Sequence, residues 1–207
     1  PPDRFVSLHS HSTFSTFDGL GYPADHINFV LSESQGMDSW ALTDHGNGNG
    51  LAHAHSYAVK MQKAGRKYRQ IYGVEFYFVP SLVDWRDDYE AHRQAVRDAR
   101  TEAKSKERTD IDADEDVVGA GHTVEDEDET KSIDVARDEW KRRYHLVIVA
   151  KNQVGMGNLF TLIKKAYKHG FYRFPRIDFN MLKEHGEGLV VSTACFCLLY
   201  TSDAADE

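Results

Sequence analysis

Two cysteines are all that this 207-residue sequence contains. Cys195 and Cys197 stand too close together to staple distant parts of a fold, so disulfides are not expected and a reducing cytoplasm is the expected location. No run of about 18 apolar residues occurs, which leaves no candidate for a bilayer-spanning helix and no expected membrane partner. The N-terminus, PPDRFVSLHSHS, lacks the basic-then-apolar pattern of a secretory signal. It also lacks an initiator methionine, so we expect the sequence to be a piece of a longer protein.

Charge is unevenly distributed along the chain. The formal net charge is −8, yet residues 84–139 hold 20 of the 33 acidic residues and only 9 of the 25 basic ones. The rest of the chain is therefore mildly basic, which is compatible with phosphate-bearing partners without strongly indicating them. With 41% apolar and 12% aromatic residues, the composition is that of a globular domain with a real core.

Outside the acidic stretch, strand-like and helix-like patterns alternate. Short apolar runs occur at residues 5–8, 40–42, 71–78, 146–150 and 189–191. Helical patterns lie between them at residues 24–32, 51–63, 156–168 and 179–184. Leu51, Ala54, Ala58 and Met61 form an apolar stripe at helical spacing. The alternation predicts an α/β domain with a largely parallel sheet or barrel, and five strands do not close a barrel, which again indicates an incomplete domain.

Two segments are not expected to contribute to this core. Residues from about 82 to 143 form a long acidic insertion, whose first part is predicted to be an exposed charged helix and whose middle is predicted to be loop or disordered. The insertion lacks the ligand spacing of an EF-hand. Residues 197–207, CLLYTSDAADE, resemble the conceptual translation of a sequencing adapter and are interpreted as a non-native tail.

Histidines and a carboxylate open the chain in the segment HSHSTFSTFDG. If residues 5–11 form a strand, His9 and His11 project from one face about 6.6 Å apart, suitably placed for one metal ion or two adjacent ones. An H-x-H pair alone is weak evidence, and Asp18 before a glycine is equally typical of a turn.

Further ligand-type residues accompany the other apolar runs. Asp44 and His45 follow one run, Glu75 lies inside an aromatic run where an unpaired carboxylate would be costly to bury, His145 begins another and Cys195 ends the last. Imidazole, carboxylate and thiolate are ligands for zinc or manganese-like ions. In α/β sheets and barrels such groups collect at strand ends, so their recurrence predicts a metal centre there.

Several of these segments together resemble a known family. HSHSTFSTFDG, ALTDHGNGNG, GVEFYF, HLVIVAKNQVGMGNLFTLIKKAY and STAC are similar to successive motifs of the polymerase-and-histidinol-phosphatase (PHP) superfamily. The stretch AKNQVGMGNLFTLIKKAYKHGFYRFPRIDFNMLKEHGEGLVVSTAC resembles the branch found at the start of bacterial DNA polymerase III alpha subunits. Histidinol phosphatases lack GFYRFPRID. The resemblance covers residues 5–196 apart from the insertion, so residues 1–196 are interpreted as the PHP domain.

The resemblance implies a distorted seven-stranded (β/α)7 barrel, incomplete here, with two or three divalent metal ions (Zn, Mn or Mg) at the strand ends. The matching ligands are His9, His11, Asp18, His45, Glu75, His145 and Cys195. Asp44 is expected to orient His45 or the turn instead of binding metal. The family pattern continues to a later D-x-H motif that this sequence does not reach. For His145, which begins its run where a strand-end argument would place no ligand, the assignment depends mainly on the resemblance.

The remaining histidines are expected to have no metal role. His53 and His55 lie two apart on a predicted helix and so face different directions. The others match no ligand motif; they are His26, His92, His122, His169 and His185.

The resemblance implies metal-assisted phosphoester hydrolysis within a replicative polymerase that synthesises DNA on a primer-template together with other replisome subunits. In some such proteins the PHP domain is a 3′–5′ proofreading exonuclease, and in others it is structural. Three interpretations stay open: a polymerase PHP region with an active site, a stand-alone histidinol-phosphatase-like enzyme, and a non-catalytic scaffold. Downstream sequence would separate the first two, and metal analysis the first and third.

Overall fold

A computed structural model describes residues 5–32, 37–111 and 143–194, with only the backbone described for 105–111. Cys195, the middle of the acidic insertion and the predicted tail at 197–207 lie outside these ranges. The elements are, in chain order, α1 (Pro23–Val30), β1 (Ser39–Leu42), α2 (Asn49–Lys63), β2 (Arg69–Phe78), α3 (Leu82–Ile111), β3 (Tyr144–Ala150), α4 (Gln153–His169), β4 (Phe171–Tyr172), β5 (Phe174–Ile177), α5 (Phe179–His185) and β6 (Leu189–Thr193).

The predicted α/β class is confirmed, but the sheet is mixed where a largely parallel one was expected. Its strands follow the order β4-β5-β2-β3-β6, with β1 beside the first half of β2. β2 pairs in parallel with β1 and β5, whereas β3 runs antiparallel to both β2 and β6. The helix predicted for residues 179–184 is present, while the β4–β5 hairpin was not predicted because FYRFPRI shows no alternation. The mixed pairing matters for the site, since it brings the beginning of β3 to the edge where β2 ends.

Residues 5–11 do not form the regular strand that was expected. Ser7 makes only an isolated parallel bridge to Trp40, although the segment continues alongside β1 as far as Ser10, whose carbonyl accepts from Thr43 N at 2.9 Å. The amide of Ser10 donates to the Thr43 hydroxyl at 3.0 Å instead of to a backbone carbonyl. A side-chain hydroxyl thus replaces the ladder partner, which is a common way for serine and threonine to interrupt a strand.

The helices start and pack as their sequences indicate. In α4, the side chain of Asn152 accepts a hydrogen bond from Gly155 N, and in α5 that of Asp178 accepts from Met181 N, both as N-caps. The predicted stripe on α2 is buried at Leu51, Ala54 and Ala58. Central strand residues complete the core and are 0% exposed; they include Val74, Phe76 and Ile148. None of the described helices is long and apolar enough to cross a membrane.

The chain divides into two compact units, one made of Pro1–Leu82 with Arg143–Glu207 and the other of Val83–Arg142. The first unit contains the sheet and the candidate site described below. In the second, the predicted charged helix is present as α3, in which the rings of Trp85 and Tyr89 stack with centroids 5.8 Å apart.

Deleting residues 87–138 and joining the ends with a short flexible linker should leave the thermal unfolding of the first unit largely unchanged. The separation of the chain into two units and the low apolar content of the deleted segment are the reasons for this expectation. Differential scanning calorimetry provides the measurement. Loss of the cooperative transition would show that the insertion supports the core.

Candidate metal centre

Four of the seven predicted ligands converge around the carboxylate of a fifth, Glu75. Glu75 lies in β2 and is 2% exposed. Its oxygens accept hydrogen bonds from His9 Nε2 at 2.5 Å, His11 Nε2 at 2.9 Å and His145 Nδ1 at 2.6 Å. His45 Nδ1 lies 3.8 Å from the same carboxylate. Four imidazoles therefore surround one buried carboxylate.

The strand directions explain this convergence. The extended segment containing Ser7, then β1, then β2 run in parallel, so the residues that follow each come together at one edge. His45 is placed there by an isolated bridge to Glu75. Because β3 is antiparallel to β2, its first residues reach the same edge, and His145 pairs with Tyr77. The position of His145 at the start of its run, which a parallel sheet could not explain, follows from this reversal.

Charge–charge contacts set the ionisation of the centre. Burial raises the pKa of Glu75, but the hydrogen bonds from His11, His145 and His9 outweigh it and hold that pKa well below its usual range. Burial likewise lowers the pKa of His11, yet the hydrogen bond and charge of Glu75, with smaller contributions from two aspartates, raise it overall. Burial lowers the pKa of His45, helped by the neighbouring His11 and His145 and opposed by Glu75. In the metal-free centre Glu75 is thus held as the carboxylate, and its charge favours the protonated form of His11.

Asp18 lies on the solvent-facing side of this cluster. Its side chain is 55% exposed, and its Oδ2 lies 3.1 Å from His45 Nε2 and 3.9 Å from His11 Nε2. The rings of His11 and His45 stack with centroids 4.3 Å apart. Asp18 is therefore the most solvent-accessible of the carboxylates facing the histidines.

Metal-ligand atoms form three linked groups among the described residues. Within each group the atoms lie within 4.8 Å of one another; the groups are His9–His11–Glu75, His11–Asp18–His45 and His45–Glu75–His145. His11, His45 and Glu75 each belong to two groups, so the groups form a closed ring. Residues shared in this way can bridge neighbouring ions, as in multi-metal hydrolytic sites.

The donor chemistry fits divalent cations. Imidazole nitrogens with carboxylate oxygens suit zinc and manganese-like ions. His45 Nδ1 is buried without a hydrogen-bond partner and faces the Glu75 carboxylate across 3.8 Å. A buried polar atom normally has a partner, and an ion at this position would supply one.

Asp44 does not face the ring of groups but anchors the loop that contains His11. Its carboxylate is 1% exposed and accepts from Ser12 N at 2.7 Å, Ser12 Oγ at 2.9 Å and Ser15 Oγ at 2.8 Å. The Ser15 hydroxyl in turn accepts from His45 N at 3.0 Å and lies 3.2 Å from His11 Nδ1. The loop then passes so close to itself that a Cβ at Gly19 would lie 1.9 Å from the Ser12 carbonyl oxygen. Through these two serines Asp44 contacts the loop of His11 and the amide of His45, and its orienting role stays a prediction.

The other predictions have different outcomes. Cys195 lies outside the described residues, and its described neighbour Ala194 donates its amide to the carbonyl of His145 at 3.1 Å. His53 stacks on Phe14, and His55 Nδ1 lies 2.8 Å from the Tyr72 hydroxyl. In the part of the chain that the structure describes, neither belongs to a group able to hold a metal ion.

Three residues at the site were not predicted. Tyr77 stacks with His45 at 5.8 Å between centroids and meets His145 edge-on at 5.0 Å. Its position two residues after Glu75 on one strand was a usable signal, because alternate residues share a face. Ser12 and Ser15 carried no such signal, since polar turns rich in serine are common.

Comparison with known proteins agrees with the motifs. Residues 7–199 match the model of the PHP domain. DNA polymerase III subunit alpha of Saccharopolyspora erythraea is 30% identical over 197 residues, which are 94% of this chain and 13% of that protein. The corresponding Helicobacter pylori subunit is 31% identical over 193 residues, 92% of this chain and 11% of that protein. The chain thus spans about an eighth of the length of these relatives.

A solved structure from Bifidobacterium adolescentis, described as that of a candidate metal-dependent phosphoesterase, aligns with a TM-score of 0.39 and 14% identity. It covers 81% of this chain and 35% of that one. A likeness of this size carries no argument about function.

Proposed function

The chain belongs to the PHP domain family, and from this premise we propose that it is the PHP region of a DNA polymerase III alpha subunit, with a metal-dependent phosphodiester-hydrolysing site. The observation that carries the proposal is the Glu75 carboxylate ringed by four imidazoles, with Asp18 at the open side. The relatives are polymerase subunits, so the reaction proposed for this site is 3′–5′ exonucleolytic proofreading. DNA synthesis, contact with primer-template and replisome subunits, and a cytoplasmic location are proposed for the longer protein.

The proposed ligands are Cys195 and the six described residues of the three linked groups: His9, His11, Asp18, His45, Glu75 and His145. Two or three divalent ions bound there would acidify a water molecule and neutralise charge developing on the phosphoryl oxygens. Glu75 holds its charge at all pH values relevant to binding, because its pKa is held low. A protonated His11 cannot be a ligand, and Glu75 raises its pKa, so protons should compete with metal there and metal affinity should fall as pH is lowered.

Replacing single histidines tests the proposal. In the longer protein, His9→Ala and His45→Ala should each remove at least one equivalent of bound metal and reduce exonuclease activity by more than about 100-fold, because each removes a ligand from the ring. His53→Ala is the matched control, since this histidine stacks on Phe14 outside the ring. Metal would be counted by plasma mass spectrometry, and hydrolysis followed on a 3′-labelled oligonucleotide.

Two results would contradict the proposal in different ways. Equal metal loss from all three variants would refute the ligand assignment. Full metal occupancy without hydrolysis of any phosphodiester would favour a structural domain, and hydrolysis of phosphomonoesters alone would favour a histidinol-phosphatase-like enzyme.

A further inference from the structure

The segment FYRFPRI, which helps to distinguish the polymerase branch in sequence, forms a hairpin beside the candidate metal centre. β4 and β5 pair antiparallel around Arg173, whose φ of 58° is unusual for a residue with a side chain. Arg176 is 2% exposed, and its Nη1 donates to the carbonyls of Tyr172 at 2.8 Å and Phe174 at 3.0 Å. A buried guanidinium therefore fixes the turn from inside.

The hairpin adds a further aromatic ring, that of Phe174, to the Tyr77 ring that packs on the histidines of the metal centre. β5 pairs with β2 at Tyr77, and the ring of Phe174 lies 4.8 Å from that of Tyr77. Tyr77 in turn packs on His45 and His145. The rings form a continuous platform from the metal ligands to the surface.

An exposed arginine lies on this platform. The Arg143 Cζ atom is 4.2 Å from the ring centroid of Phe174 and 5.8 Å from that of Tyr77. Stacking on an aromatic face restricts the side chain while leaving the N–H edge of the guanidinium free to bind an anion. Because Arg143 immediately precedes β3, the reversal that delivers His145 to the centre also delivers this cation to its rim.

We propose that Arg143, positioned by Phe174 and Tyr77, binds a backbone phosphate of a single-stranded DNA substrate next to the phosphodiester held at the metal centre. This rests on the proposed function and names its substrate class: a strand with several phosphates, not a compound with one. A lone phosphate would be held by the metal ligands, whereas Arg143 packs more closely on Phe174, at 4.2 Å, than on Tyr77, at 5.8 Å, and Tyr77 is the ring that contacts His45 and His145. Arg143 is therefore placed to meet a neighbouring phosphate. Phosphate contacts of this kind position a strand without reading its sequence.

Binding of a fluorescent oligothymidine to this chain, measured by anisotropy without turnover in EDTA, tests the proposal. Arg143→Ala should weaken binding about tenfold, as expected for loss of one charge-assisted hydrogen-bonded contact. The slope of log K against log salt should become shallower by about 0.7, the value for one phosphate contact on a single strand. Arg143→Lys should keep the slope and recover part of the affinity, because lysine keeps the charge without the planar stack.

Arg69→Ala is the matched control. Arg69 is also exposed, but it begins β2 whereas Tyr77 lies near the other end of that strand. An equal loss of affinity in both variants, or no loss in Arg143→Ala, would overturn the proposal.

Hydrolysis separates this inference from the proposed function. In the longer protein with metal, Arg143→Ala should raise KM for an oligonucleotide about tenfold while leaving that for bis-p-nitrophenyl phosphate, which has a single phosphate, nearly unchanged. If the unmodified protein hydrolysed neither substrate, the proposed function would be refuted. The anisotropy measurement would still show whether Arg143 binds single-stranded DNA. An unequal effect in the opposite direction, with the one-phosphate substrate affected more, would place Arg143 at the reacting phosphate and contradict the inference.

Discussion

Glu75→Gln should remove bound metal almost completely from the longer protein and abolish hydrolysis, while leaving the fold intact. A glutamine side chain has nearly the same size as that of Glu75 but lacks the charge that two of the three metal-ligand groups share. Loss of a residue that only orients a ligand lowers metal affinity by about 10–100-fold, so loss of a shared ligand should exceed about 100-fold. Isothermal titration with Mn²⁺ or Zn²⁺ would measure the affinity.

The same substitution at Glu184 is the control. Glu184 has an exposed side chain and pairs with Lys165 at 2.6 Å, so Glu184→Gln should leave metal affinity unchanged. Circular dichroism would verify that both variants fold. If Glu75→Gln bound metal as tightly as the unmodified protein, the carboxylate would be a hydrogen-bond acceptor for histidines and not a ligand.

The prediction of the site from sequence depended on residue types whose burial in a strand costs free energy unless they have a partner. Glu75 was identifiable because an unpaired carboxylate within IYGVEFYF would be costly to bury, and the structure surrounds it with histidines. His9 and His11 were predicted to converge, and they do so on Glu75 Oε2. The predicted reason, a regular strand through residue 11, was wrong because the amide of Ser10 donates to the side-chain hydroxyl of Thr43 instead of to a backbone carbonyl.

Strand direction was the information that the sequence did not carry. Alternating helices and strands favour parallel pairing, but the connection from β2 to β3 contains the long acidic insertion, which imposes no crossover geometry. The antiparallel pairing places His145 at the centre and Arg143 at its rim. Neither position follows from hydrophobic periodicity, so the place of His145 was available only through family resemblance and that of Arg143 was not available at all.

Asp44→Ala should destabilise the metal-free protein by about 3 kcal/mol, because it leaves the amide and hydroxyl of Ser12 and the hydroxyl of Ser15 without their buried acceptor. Urea unfolding, with the slope checked for constancy, would give the free energy. Ser15→Ala removes one of these donors and also the acceptor of the His45 amide, so it should cost about 2 kcal/mol. In the double variant the two effects should fall short of additivity by about 1 kcal/mol, because both substitutions remove the Ser15–Asp44 hydrogen bond.

The metal affinity of Asp44→Ala distinguishes a positioning role from general destabilisation. The carboxylate contacts Ser12 and Ser15, which follow His11 in the same loop, and the Ser15 hydroxyl also accepts from the amide of His45. At temperatures where the variant is still folded, we therefore expect its metal affinity to fall about tenfold, with Asp44→Asn intermediate because an amide oxygen keeps one acceptor. Unchanged metal affinity together with the loss of stability would mean that the loop is held for folding alone and that His11 and His45 reach the centre without it.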